Sequence, residues 1–177
     1  LDRGVYECAA QGKTGQLFAM SVEGANLLAG SPAPSAPLAE AALGLGTVFQ
    51  IQDDVVDLYG NKGRAKPGGD LREGKVSALV VTHLELHPED TDTLLALLRK
   101  PAAETTDEEV EYWTLRFRDT GALNATIAWG KAILADLKSD ERLQDVPALR
   151  DYLVAMGERL LARSFSSLHA TATGTSG

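Results

Sequence analysis

Residues 49–57 read FQIQDDVVD, and this short stretch carries both a fold and a chemistry. Gln50, Asp53, Asp54 and Asp57 fall at i, i+3, i+4 and i+7, the spacing that stacks side chains on one face of an α-helix. The other side is apolar: Val48, Phe49, Ile51, Val55 and Leu58 read as core positions, leaving the acids in a groove or in solvent. Like charges one turn apart repel each other. A divalent ion with oxygen ligands relieves that repulsion. Mg²⁺ suits the pattern, because it takes few protein carboxylates, keeps several waters and is usually shared with substrate phosphate. By itself, a DDxxD stretch is more often a solvated acidic helix face.

The loop after the acids adds a second half to the pattern. Residues 60–75 read GNKGRAKPGGDLREGK, a glycine-rich stretch holding Lys62, Arg64, Lys66, Arg72 and Lys75, with Asp70 near its end. Glycine lets backbone approach a ligand closely, and lysine is a common point charge against phosphate. An acidic helix face leading into a basic loop has the outline of a Mg²⁺–diphosphate clamp. Two other patterns carry less. His83 and His87 are at i, i+4, but no carboxylate or cysteine completes a metal set in the sequence, so they read as a polar helix end. Asn124-Ala125-Thr126 matches a glycosylation acceptor, yet it lies inside a helical segment.

The run FQIQDDVVDLYG, then Lys66, then PGGDLREGK resembles the second aspartate-rich motif of the trans-isoprenyl diphosphate synthases, the polyprenyl synthetase family. Tyr6 to Gly30, YECAAQGKTGQLFAMSVEGANLLAG, is similar to that family's Lys-Thr helix, and residues 118–163 resemble its C-terminal helices. In detail, GRAKPGGDLREGKVSALVV resembles bacterial geranylgeranyl diphosphate synthases. The resemblance implies an all-α fold, the C-terminal part of the isoprenoid synthase helical bundle. It also implies a prenyltransferase that condenses isopentenyl diphosphate with an allylic diphosphate through an allylic carbocation. It would place Mg²⁺ on Asp53 and Asp57 with Asp54 in support, the allylic diphosphate on Lys13 and Lys66, and Lys75 behind the acids, with Asp70 supporting from the loop. Thr14 and Gln50 would present neutral dipoles to the cation. Two further readings stay open: a non-catalytic modulatory subunit of a heteromeric synthase, and a class I terpene cyclase, which also uses a DDxxD helix.

Family members carry a first aspartate-rich motif and an isopentenyl diphosphate site upstream of the Lys-Thr helix, and neither is in this sequence. The chain therefore reads as a C-terminal half, inactive alone and completed by an N-terminal half or partner chain, with a homodimer implied by the resemblance. Residues 1–169 read as one domain and 170–177, ATATGTSG, as a disordered tail. The chain has 177 residues, 44% of them hydrophobic, enough for a core. It holds one cysteine, no run long enough for a transmembrane segment, and no targeting signal, which together point to the cytoplasm. A net charge of −8 argues against nucleic acid and anionic membranes. The periodicity predicts helices over about 4–28, 37–59, 72–86, 88–99, 106–119, 122–138 and from Pro147 to about Arg163, with breaker-rich SPAPSAP at 31–37 and a Thr106–Glu109 capping box.

Overall fold

A sixteen-residue helix, α4 (Gly44–Tyr59), carries the FQIQDDVVD stretch through both cores of the molecule. The computed structural model describes residues 2–60 and 66–172, with side chains described as far as residue 162. Before α4 come α1 (Arg3–Ala10), a π-helical turn (Gln11–Gly15), α2 (Gln16–Leu28) and α3 (Ser35–Ala42). After it come α5 (Gly69–Arg72), α6 (Ala78–Leu86), α7 (Thr91–Leu98), α8 (Asp107–Asp119), α9 (Ala122–Ser139) and α10 (Pro147–Ala172). Short 3₁₀ turns join some of these, and no strand occurs among the described residues.

The halves of α4 serve different cores. Leu45, Val48 and Ile51 pack with Leu38, Leu134, Leu153 and Leu161, from α3, α9 and α10. One turn further on, Val55, Leu58 and Tyr59 pack with Leu71, Leu79, Leu94, Trp113 and Phe117, from α5 to α8. Helix α9 also feeds both cores, through Trp129 and Leu134 on one side and Leu123 and Ile127 on the other. With two apolar neighbourhoods fixing its rotation, α4 turns Gln50, Asp53 and Asp54 to one edge.

The Lys-Thr segment meets α4 at unusually short range. A Cβ on Gly46 would lie 2.2 Å from the backbone nitrogen of Gly15, and one on Gly15 would lie 2.7 Å from the carbonyl oxygen of Leu43. No side chain fits between the two backbones there, so glycine is required on both. At this crossing the first helix departs from the regular form predicted over 4–28 and widens into the π turn.

Other differences have local causes. The helix predicted over 72–86 begins only at Ala78, because Gly74 turns the chain at φ +68°, close against Leu98, where a Cβ would stand 2.2 Å from its carbonyl oxygen. Phe49, expected in the core, is 36% exposed, since it shares the outer edge of α4 with Asp53 rather than the buried stripe. The Thr106–Glu109 capping box forms, with both reciprocal bonds present. Helix α10 continues to Ala172 rather than stopping near Arg163; of the expected tail, residues 170–172 are helical and 173–177 lie outside the described residues. Lys62 and Arg64 of the basic loop also lie outside them.

Candidate active site

The polar edge of α4 opens into a groove of about 270 Å³ between α1, α4 and the segment joining α5 to α6. Lys13, Gln50, Asp53, Asp54, Asp70 and Lys75 supply its charged and amide groups, and Tyr6 and Ser77 line it as well. The structure thus brings together six of the residues singled out in the sequence, drawn from three separate segments.

The π turn places Lys13 and Thr14 over α4. Gln50 bridges them: its Nε2 donates to Thr14 Oγ1 at 3.0 Å, and its Oε1 accepts from Lys13 Nζ at 3.4 Å. The amide orients the hydroxyl and the ammonium from one side chain, and the close Gly15–Gly46 crossing lets it reach both.

The three aspartates occupy three different settings. Asp53 is exposed and lines the groove. Asp54 is buried, and its Oδ2 accepts from Tyr6 O–H at 2.7 Å and from the backbone N–H of Ala78 at 2.6 Å, at the start of α6. Burial pushes the Asp54 carboxyl up to about 7, the neighbouring charges of Asp70 and Asp53 adding to the effect while the two hydrogen bonds oppose it. The same burial and the same carboxylate push the Tyr6 hydroxyl well above its ordinary range. Asp57 turns elsewhere: its Oδ2 accepts from the backbone N–H of Asp70 at 3.0 Å, its carbonyl accepts from Gly68 N–H at 3.0 Å, and it does not line the groove. Gly68, at φ +79°, and Gly69, whose added Cβ would stand 3.3 Å from Asp57 Oδ1, make that turn possible.

The lysines separate in the same way. Lys75 Nζ stands 2.9 Å from Asp70 Oδ1 and 2.7 Å from Glu73 Oε2 at the groove, and these partners raise its pKa. Lys66 instead pairs with Asp107 at 2.9 Å, as does Arg72, beside a different hollow lined by Leu58, Val110 and Leu115. Lys66 is therefore not gathered with the acids in this conformation.

Among the described residues, no three histidine, cysteine or acidic side chains converge closely enough to hold a metal unaided. The donors at the groove are hard carboxylate oxygens, Asp53, Asp54 and Asp70. That set fits Mg²⁺ completed by water and phosphate oxygens. Tyr6 was not singled out in the sequence; its position seven residues before Lys13 is the one signal that could have placed it on this side of the helix.

A sequence model described as polyprenyl synthetase matches residues 3–116. A geranylgeranyl pyrophosphate synthase of Hypoxylon pulicicidum is 35% identical over 120 residues, 64% of this chain and 29% of that protein. An all-trans-nonaprenyl-diphosphate synthase (geranyl-diphosphate specific) of Rhodobacter capsulatus is 31% identical over 123 residues, 68% and 37% of the two chains. A short chain isoprenyl diphosphate synthase of Methanocaldococcus jannaschii is 39% identical over 103 residues, 56% and 31%. The matched stretch thus spans about a third of the length of these relatives. A crystal structure of a geranylgeranyl pyrophosphate synthase superposes with a TM-score of 0.70 over 92% of this chain and 52% of that one; at 20% identity this likeness shows the fold. By the matched residues, which include the Lys-Thr segment, the aspartates and the PGGD turn, the chain belongs to the polyprenyl synthetase family.

Proposed function

We propose that this chain supplies the diphosphate-binding, cation-forming side of a Mg²⁺-dependent prenyltransferase that joins isopentenyl diphosphate to an allylic diphosphate. The observation that carries this reading is the groove itself, where Lys13, Gln50, Asp53, Asp54, Asp70 and Lys75 meet. Family membership supports it. The names of the relatives favour isoprenyl diphosphates as substrates, and geranylgeranyl diphosphate as the product.

Mg²⁺ would be held by Asp53 and Asp54, with Asp70 and its partner Lys75 at the loop side, and would neutralise charge growing on the leaving diphosphate. Lys13 contributes a full positive charge to the same oxygens. Thr14 and Gln50 offer neutral oxygens near the reacting carbon, which stabilise positive charge without capturing it. Asp57 holds the Gly68–Asp70 turn against α4 and so fixes where Asp70 stands. Exposed Leu17 and Met20 on α2 and Phe49 on α4 give those helices apolar surface suited to a hydrocarbon chain.

Because the matched stretch covers only about a third of each relative, the reaction is expected to need sequence beyond these residues. The test is to assay residues 1–177 alone, and co-expressed with a polypeptide bearing a first aspartate-rich motif, using isopentenyl and allylic diphosphates with Mg²⁺. Product is expected from the pair alone, with its chain length read by mass spectrometry. Absence of product from the pair, with both parts folded, would overturn the reading.

A further inference from the structure

We infer that Tyr6 is a positioning residue for the groove: its hydroxyl sets the orientation of the Asp54 carboxylate, so that Oδ2 is consumed by protein donors and Oδ1 is kept for a cation. The inference rests on the Mg²⁺–diphosphate reading of the groove.

An aspartate carboxylate rotates in a broad well about its last torsion, so its direction must be imposed by hydrogen bonds. Here both protein donors fall on one oxygen. Tyr6 O–H and Ala78 N–H both reach Oδ2, at 2.7 and 2.6 Å, and no bond to Oδ1 occurs among the described residues. The residue as a whole lines the groove. Tyr6 is itself held in place: its ring stands 5.3 Å from that of Trp129, whose Nε1 donates to Glu7 at 2.9 Å, and the Arg3 guanidinium lies 4.9 Å over Trp129. A fixed ring carries a fixed hydroxyl, so α1 and α9 together determine how a carboxylate of α4 faces the groove. Hydrogen-bond partners behind a metal-binding carboxylate act in this way, and their removal typically weakens the metal roughly 10- to 100-fold.

The experiment is a titration of residues 1–177 with Mn²⁺ in the presence of inorganic diphosphate, monitored by the electron paramagnetic resonance of free Mn²⁺. Tyr6→Phe, with unchanged helical circular dichroism, is expected to weaken Mn²⁺ about tenfold. In an Asp54→Asn background the same change should add less than about twofold, since Tyr6 acts through that carboxylate. Trp129→Phe, which loosens the ring but keeps the hydroxyl, separates positioning from general packing and should cost less than Tyr6→Phe. Equal Mn²⁺ affinity in the parent and Tyr6→Phe overturns the inference and leaves the groove reading standing. A parent chain that binds no Mn²⁺ with diphosphate overturns the groove reading, and the inference with it.

Discussion

Two polar clusters lie inside this helical chain, and they are built on opposite plans. Around His83, every principal group finds its partner within the cluster. His83 is fully buried; its Nε2 bonds Asp90 Oδ2 at 2.8 Å, Arg116 reaches the same oxygen at 2.8 Å, and Thr120 Oγ1 meets Nδ1 at 3.3 Å. Phe117, Trp113 and His87 pack on the ring. The α4 groove gathers three carboxylates against two lysines, and one of those, Lys75, already serves both Asp70 and Glu73. A buried network kept for stability balances its charge internally, because an unmatched buried charge is costly. The groove's excess of carboxylates over lysines is what the proposed Mg²⁺ would offset.

The comparison breaks most sharply at Asp53. In a complete, active assembly containing this chain, Asp53→Ala should lower kcat by about two to three orders of magnitude, with little change in melting temperature because the side chain is exposed. Turnover close to the parent at saturating Mg²⁺ would place the groove with the His83 cluster as architecture only.

Next in size is a stability contrast, read by urea unfolding of residues 1–177. His83→Leu should cost about 2–3 kcal/mol, since it withdraws a buried partner from Asp90 and Thr120. Asp54→Asn at pH 8 without metal should be neutral or stabilising, because it removes a buried charge while its amide oxygen still accepts from Tyr6 and Ala78. The reverse order would overturn the distinction.

The two clusters should also respond to pH with opposite signs. Burial pushes the His83 pKa below its ordinary value, against the pull of Asp90, whereas an unfolded histidine titrates near 6.5. The unfolded chain then takes up the proton more readily, so this contribution is complete above about pH 6.5 and is lost as pH falls through the lower folded value. Asp54 runs the other way. Its folded pKa of about 7 exceeds the unfolded value near 4, so its contribution is full in acid and is lost as pH rises through about 7. Stability measured from pH 4 to 8 should flatten on the acid side in His83→Leu, and Asp54→Asn should remove a slope of opposite sign. Parallel slopes in the two variants would refute the assignment.

The smallest effect is expected at Lys75→Gln. That ammonium is 58% exposed on its side chain, and such pairs contribute under about 1 kcal/mol to stability. A loss of diphosphate binding with unchanged melting would place its role in the groove.

The parts of the molecule readable in the sequence were those set by nearby residues. The spacing of Gln50, Asp53 and Asp54 turned out as a groove edge, and Thr106 with Glu109 formed its capping box, because both depend on contacts within two helical turns. Asp57 shares the same spacing but serves the Gly68–Asp70 turn, a partnership set by the loop's return path. Lys66 likewise depends on Asp107, forty-one residues away. His83, read as part of a polar helix end, is buried because Asp90 and Arg116 arrive from two further elements. Tyr6 has no local pattern that names Asp54, forty-eight residues ahead, as its partner.

The π turn at Gln11–Gly15 has a consequence for the phase of the whole first segment. Inward-facing or half-buried positions along it include Arg3, Glu7, Gln11, Gly15, Ala19, Val22 and Asn26, a repeat nearer four residues than 3.6. A regular α-helix carrying that repeat would drift around its own axis and lose its neighbour. One widened turn resets the phase, so the stretch before it and the stretch after it both face the same side of the bundle. Deleting one residue from the turn would leave a regular helix with both stretches still in phase, whereas making the turn regular with every residue kept would rotate Tyr6 and Glu7 by about 100° relative to Ala19 and Val22. The segment thus works as a mechanical key, whose indexing depends on one widened turn that absorbs a surplus residue.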